Sequence, residues 1–208
     1  MNHLKLFEYW KGEFETIGEF EFRNLKSTDF FSKQIMNKYL LINPKVREIL
    51  KYMGLKIVVF DGRLTLNKEL LTVKRVVPKN WPKDKTWSAV DGMYAVDEKI
   101  VFVSKTITYY DNGKKITYNG RDIFLHEVGH AIDHLIGDYL YGQDISSLRE
   151  IRRLVKKEPF NDYYYDGCSS EYIANSFDLY YKSKESRNRL EEDHPGIFNI
   201  ISGVEKEL

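Results

Sequence analysis

Residues 123–136 read Ile123-Phe124-Leu125-His126-Glu127-Val128-Gly129-His130-Ala131-Ile132-Asp133-His134-Leu135-Ile136. The apolar residues recur at helical spacing, so the stretch predicts an amphipathic helix. Residues four apart share a face of such a helix, and the imidazoles of His126 and His130 can converge on one ion. Neutral imidazole suits Zn²⁺, which it binds at about 2.0–2.1 Å. Glu127 stands beside the first histidine, where a carboxylate can polarise a water on the metal and later shuttle its proton. His134 continues the row but lies a turn further on, and a third ligand there would need a distorted helix. His134 and Asp133 are therefore read as side chains that orient His126 or His130. A solvated or core row of histidines is the competing reading, and it is disfavoured because so rare a residue seldom stacks at i, i+4 and i+8 by accident.

Catalytic zinc sites usually have three protein ligands. No histidine follows His130 at the Gly-x-x-His spacing, and no Met-turn pattern comes later. The missing ligand is then a carboxylate on a following helix. Ser169-Ser170-Glu171-Tyr172-Ile173-Ala174-Asn175-Ser176-Phe177 fits, with serine caps and an apolar stripe through Ile173, Phe177 and Tyr180. Glu171 lies 41 residues past His130, and on these grounds it competes with Glu158, Asp162, Asp166 and Asp178. The run Tyr163-Tyr164-Tyr165 can supply a neutral donor to a developing oxyanion, and nothing internal to the sequence selects among the three.

Working outward, Ser27-Thr28-Asp29 offers caps for a helix carrying Phe30, Phe31, Ile35, Tyr39 and Ile42. Asn43-Pro44 opens a second helix that stops at Gly54. Leu55–Phe60 reads as a buried strand, and 76–92, with Trp81 and Trp87, as a long ordered loop. Ile100 to Tyr110 reads as a strand, turning at Asp111-Asn112-Gly113 into Ile116-Thr117-Tyr118. Helices are expected near 121–140, 146–157, 169–183 and 185–204, the last interrupted around His194-Pro195-Gly196. Arg149, Arg152, Arg153, Lys156 and Lys157 make one of them basic, which reads as a solvated face. The fold class is α+β: a small mixed sheet, an active-site helix and a mainly helical C-terminal half. It forms one domain over 1–208, with an N-terminal extension of open structure over about 1–26, a helix-and-sheet part over about 27–120 and a helical part over about 121–208.

The 208 residues carry 32 Lys+Arg against 31 Asp+Glu, a net charge of +1, which argues against a nucleic-acid coat protein or a polybasic membrane binder. A hydrophobic content of 42% excludes intrinsic disorder. The one cysteine, Cys168, excludes a disulfide framework, and as a lone small residue near a helix start it reads as packing rather than a nucleophile. No apolar run spans a bilayer, and the first residues reach Glu8 and Trp10 before any signal-peptide core could form.

Taken together, these motifs resemble the lethal-factor-like zinc metallopeptidases, and among them the bacterial Pro-Pro endopeptidases. The matching words are Leu55-Lys56-Ile57, Gly62-x-Leu64-Thr65, Val76-Val77-Pro78-Lys79-x-Trp81, Lys85-Thr86-Trp87, His126-Glu127-x-x-His130-Ala131-Ile132-Asp133-His134 and Glu171-x-x-Ala174-x-Ser176-Phe177. The resemblance covers roughly 27–205. It implies one Zn²⁺ per chain held by His126, His130 and Glu171, Glu127 as general base, Tyr164 as oxyanion donor and Trp87 beside the substrate. It also implies a sheet edge that binds an extended peptide, placed here in the 100–118 hairpin. The partner is a protein or peptide substrate, proline-rich by the resemblance, with no nucleic acid, no membrane and a monomeric enzyme. Three features depart from the pattern: relatives are secreted whereas no export signal is read here, Asn175 stands where a glutamate is usual, and the 91–120 region, which shapes specificity, is only weakly similar. They keep two alternatives open, a protease of different specificity acting inside a cell and a catalytically impaired binding protein.

Overall fold

The computed structural model describes residues 14–63, 67, 69, 90–111, 114–118, 120–160 and 168–208. Phe14–Ile17 (β1) and Phe20–Arg23 (β2) form a hairpin with Ile17 opposite Phe20. These residues lie in the stretch whose structure the sequence left open. Phe20 and Phe22 alternate with polar neighbours and are buried, the pattern of a strand with one face on a core. Helices Phe30–Leu40 (α1) and Pro44–Tyr52 (α2) follow where expected. The second is opened by the Asn43 side chain, which accepts from the Lys45 N–H at 2.9 Å.

Lys56–Phe60 (β3), Gly92–Ala95 (β4) and Ile100–Ser104 (β5) complete a five-stranded mixed sheet of order β1-β2-β3-β5-β4. The β2–β3 and β3–β5 pairs are parallel, whereas β1–β2 and β4–β5 are antiparallel. Ile57, Val59, Val101 and Val103 face the main core, while Val58, Phe60, Ile100 and Phe102 form a smaller cluster on the other face. Burial on both faces explains why β3 and β5 are continuously apolar rather than alternating.

The single strand expected over 100–110 is in fact two. β5 belongs to the main sheet, and Ile107–Asp111 (β6) pairs with Lys114–Tyr118 (β7) in a separate two-stranded sheet. The 100–118 hairpin is therefore not an edge of the main sheet. β5 lies inside that sheet, between β3 and β4, and among the described residues its edges are β1 and β4. The loop over 76–89, with Trp81 and Trp87, lies outside the described residues.

The C-terminal half is helical, as expected. Phe124–Ala131 (α3) runs into a π turn at Ile132–Ile136 and then Gly137–Tyr141 (α4). After a 3₁₀ turn at Ile145–Ser147 come Arg149–Lys157 (α5), Ser169–Lys182 (α6), Lys184–Asp193 (α7) and Pro195–Glu207 (α8). On α5, Ile151 and Leu154 face inward and the five basic residues are exposed. Among the described residues, no helix is long and apolar enough to cross a membrane.

The most extensive helix–helix contact is α3 against α6. Gly129 makes it possible, since a Cβ there would stand 2.6 Å from the Ala174 carbonyl oxygen and 2.8 Å from its Cα. Both clashing atoms are backbone, so neither can swing aside. Gly129→Ala is expected to lower stability by about 1–3 kcal/mol through overpacking. That loss corresponds to a fall in Tm of roughly 2–4 °C per kcal/mol, read by thermal unfolding.

Candidate active site

α3 and α6 bring their polar residues together at one end of this contact. Nε2 of His126 lies 3.2 Å from Oε2 of Glu171, and Nε2 of His130 lies 3.6 Å from its Oε1. The three donor atoms all lie within 4.8 Å of one another. Tetrahedral zinc with bonds near 2.05 Å sets neighbouring donors about 3.3 Å apart, so the residues present fit such an ion. Glu158 and Asp178 do not join this group. Glu158 accepts from the Gly196 N–H at the start of α8, and Asp178 pairs with Lys182. Asp162 and Asp166 lie outside the described residues, as do Tyr164 and Trp87.

Both imidazoles are pinned from behind by α6. Nδ1 of His126 faces Oδ1 of Asn175 at 3.0 Å, and Nδ1 of His130 faces Oγ of Ser170 at 3.1 Å. Each Nδ1–H can donate to a neutral oxygen, which leaves the Nε2 lone pairs aimed at the shared space. Asn175, which departs from the resemblance, thus supplies an acceptor at the expected place. It is an amide oxygen where the resemblance implies a carboxylate.

Asp133 and His134 have other hydrogen-bond partners than the two histidines. Oδ1 of Asp133 accepts from the Ser146 N–H at 2.6 Å, tying the 3₁₀ turn to the π turn. Nδ1 of His134 shares a hydrogen bond of 2.9 Å with the Tyr94 hydroxyl. The physical reason is the π turn at 132–136, whose i→i+5 bonding breaks the row of four-residue steps beyond His130. Ser170 had been legible only as a helix cap and Asn175 only as a departure. Tyr94 carried no sequence signal at all, because its place depends on strand pairing. Cys168, read as packing, is exposed.

The electrostatics divide the two carboxylates. Burial opposes charge on both. For Glu171 the hydrogen bonds from His126 and His130 prevail and hold it well below the usual carboxylate range. For Glu127 burial prevails over the nearby imidazoles and pushes its carboxyl up. Its Oε2 accepts from the Tyr94 N–H at 2.8 Å. Burial also works against a charged His126, but the Glu171 hydrogen bond and the charges of Glu127 and Glu171 raise it to about 9. The cluster therefore calls for positive charge between its carboxylates, which a cation can supply in place of a proton.

Comparison with known proteins places the chain in a family. The family model for the anthrax toxin lethal factor N- and C-terminal domain matches residues 17–204. The chain belongs to this family. It is of metallopeptidase type, which implies a metal, and the His-His-Glu group is present. The chain is 30% identical over 176 residues to a Pro-Pro endopeptidase of Clostridioides difficile, covering 83% of this chain and 74% of that one. It is 32% identical over 166 residues to a Pro-Pro endopeptidase of Paenibacillus alvei, covering 77% and 71%. These named relatives support a metalloendopeptidase. The solved structure of the Paenibacillus alvei Pro-Pro endopeptidase superposes with a TM-score of 0.71 at 22% identity, over 89% of this chain and 97% of that one. The α+β fold expected from the sequence is borne out by that likeness.

Asn175→Leu and Ser170→Ala, which strip the imidazoles of their partners, are each expected to weaken zinc binding by about 10- to 100-fold. Asn175→Asp, which restores an anionic acceptor, is expected to bind zinc at least as tightly as the native chain. Competition against a chromophoric chelator measures all three.

Proposed function

We propose that this chain is a zinc-dependent endopeptidase that hydrolyses peptide bonds in an extended, proline-containing segment, with one zinc per chain. The observation that carries the reading is the convergence of His126, His130 and Glu171 beside a buried Glu127. A zinc ion held by those three side chains supplies Lewis acidity, making water a nucleophile near neutral pH and polarising a carbonyl.

The remaining work falls to the protein. Glu127 is the general base: with Oε2 fixed by the Tyr94 N–H, its Oε1 takes a proton from the attacking water. Its raised pKa suits a group that must both accept a proton and return it, here to the leaving amine nitrogen. Tyr164, seven residues before Glu171, is the proposed donor to the developing oxyanion. Trp87 is the proposed substrate contact. The peptide-binding edge is assigned to β4, which among the described residues has a strand neighbour only in β5 and lies beside Glu127. Specificity for a bond between two prolines is what the two relatives' names say of those proteins, and it is proposed here for this chain on their likeness.

A catalytically impaired binding protein is the rival reading, motivated by Asn175. The hydrogen bond from His126 to Asn175 supports the enzyme instead, because the ligand histidine keeps its acceptor.

Purified protein is expected to hold about one zinc per chain by elemental analysis. Glu127→Ala should keep that zinc and lose turnover, and cleavage persisting in this variant would overturn the mechanism. A peptide library varied at the two positions flanking the cut bond, followed by mass spectrometry, should return products only where proline occupies them. Stoichiometric binding without product would favour the rival.

A further inference from the structure

Tyr94 touches the active-site helix twice. Its N–H donates to Glu127 at 2.8 Å, and its hydroxyl meets Nδ1 of His134 at 2.9 Å. The two contacts are seven residues apart, roughly 10 Å of helical rise, so β4 is held at two points and cannot pivot about one. A third feature fixes the same strand. A Cβ at Gly92 would meet Cγ2 of Ile123 at 2.6 Å and Cγ of Glu127 at 3.1 Å, so at Gly92 the β4 backbone packs directly on the Ile123 and Glu127 side chains.

This anchoring answers a specific need. The terminal torsion of a glutamate is soft and broad, so a buried carboxylate takes its orientation from whichever donor holds it. For Glu127 that donor is a backbone amide, and its position is the position of β4. Among the described residues β4 is an edge strand, paired in the sheet with β5 alone. Tyr94 is buried at 8% exposure, and its hydroxyl reaches past the strand to the π turn, where His134 closes the bond. The widened turn that takes His134 out of line with His126 and His130 thus gives it a partner on β4.

We propose that His134 and the Tyr94 hydroxyl are positioning residues that set the orientation of the Glu127 carboxylate by locking the edge strand to the active-site helix. The inference rests on the reading of Glu127 as the general base, and it assigns His134 a role distinct from metal binding.

The test uses the full-length, zinc-loaded chain with Tyr94→Phe, His134→Ala and His134→Asn. Asparagine places a polar δ atom where Nδ1 stands and is the conservative replacement. On a Pro-Pro peptide, Tyr94→Phe and His134→Ala are expected to lower kcat by about 10- to 100-fold with KM and zinc content unchanged, and His134→Asn to restore most of it. A second readout needs no turnover. The backbone amide of residue 94, donating to a carboxylate, should resonate at low field in a nitrogen–proton correlation spectrum. It should move upfield in Glu127→Gln and likewise in His134→Ala, but not in His134→Asn. An unchanged kcat together with an unmoved amide in His134→Ala overturns the proposal. So does a joint fall of kcat, zinc content and Tm with the amide unmoved, since that marks a merely structural role. If the native chain cleaves no peptide, the proposed function fails, and the amide shift alone decides the positioning role. If His134→Ala does not fold, Tyr94→Phe, which removes one hydroxyl, carries both readouts.

Discussion

The structure depends on how closely α3 can approach α6. With glycine at 129, the helix backbones meet at Ala174, and a single methyl group at that point would separate them. Glu171 lies three residues before Ala174 and Asn175 one residue after it, while His126 and His130 flank Gly129. One close contact thus sets the distances between both imidazoles, the carboxylate and the acceptors behind the rings. Ser170, Glu171 and Asn175 all come from α6, so any movement of that helix displaces the candidate ligand and its supports together.

Two carboxylates in one site are driven in opposite directions by their surroundings. Glu171 is shared between two imidazoles and stays ionised, whereas Glu127 is more deeply buried, faces one amide and has its proton affinity raised. A group held ionised suits permanent ligation. A group with raised proton affinity suits proton transfer. The division of labour proposed for them follows from environment, since the two side chains are chemically identical.

The sheet contributes more than a platform. Its interior strands β3 and β5 are apolar on both faces and rigid, and its edge strand β4 runs against the active-site helix with Gly92 and Tyr94 at the contact. The strand that holds the proposed general base has, among the described residues, no strand partner on its outer side. The proposed substrate edge and the proposed hold on the base thereby fall on the same element. The β6–β7 hairpin forms its own sheet and does not pair with that edge.

Much of this was legible in the chain itself, because it depends on neighbours a few residues apart. Helical spacing put His126 and His130 on one face with Glu127 between them, caps and prolines marked α2, and continuous apolar runs marked β3 and β5. The third candidate ligand could be narrowed only to a set of carboxylates, since periodicity does not say which of several helices returns to α3. The partners of Asp133 and His134 were hidden for a similar reason: helical spacing presumes a regular helix, and the π turn carries both toward other elements. Tyr94, Ser170 and Asn175 reach their partners across 33 to 49 residues of chain, through strand pairing and helix packing. Sequence alone determined which chemistry the protein carries, since ligand spacing is a local property. Tertiary structure decided which side chains orient that chemistry, because hydrogen bonds between distant residues exist only once the backbone has closed.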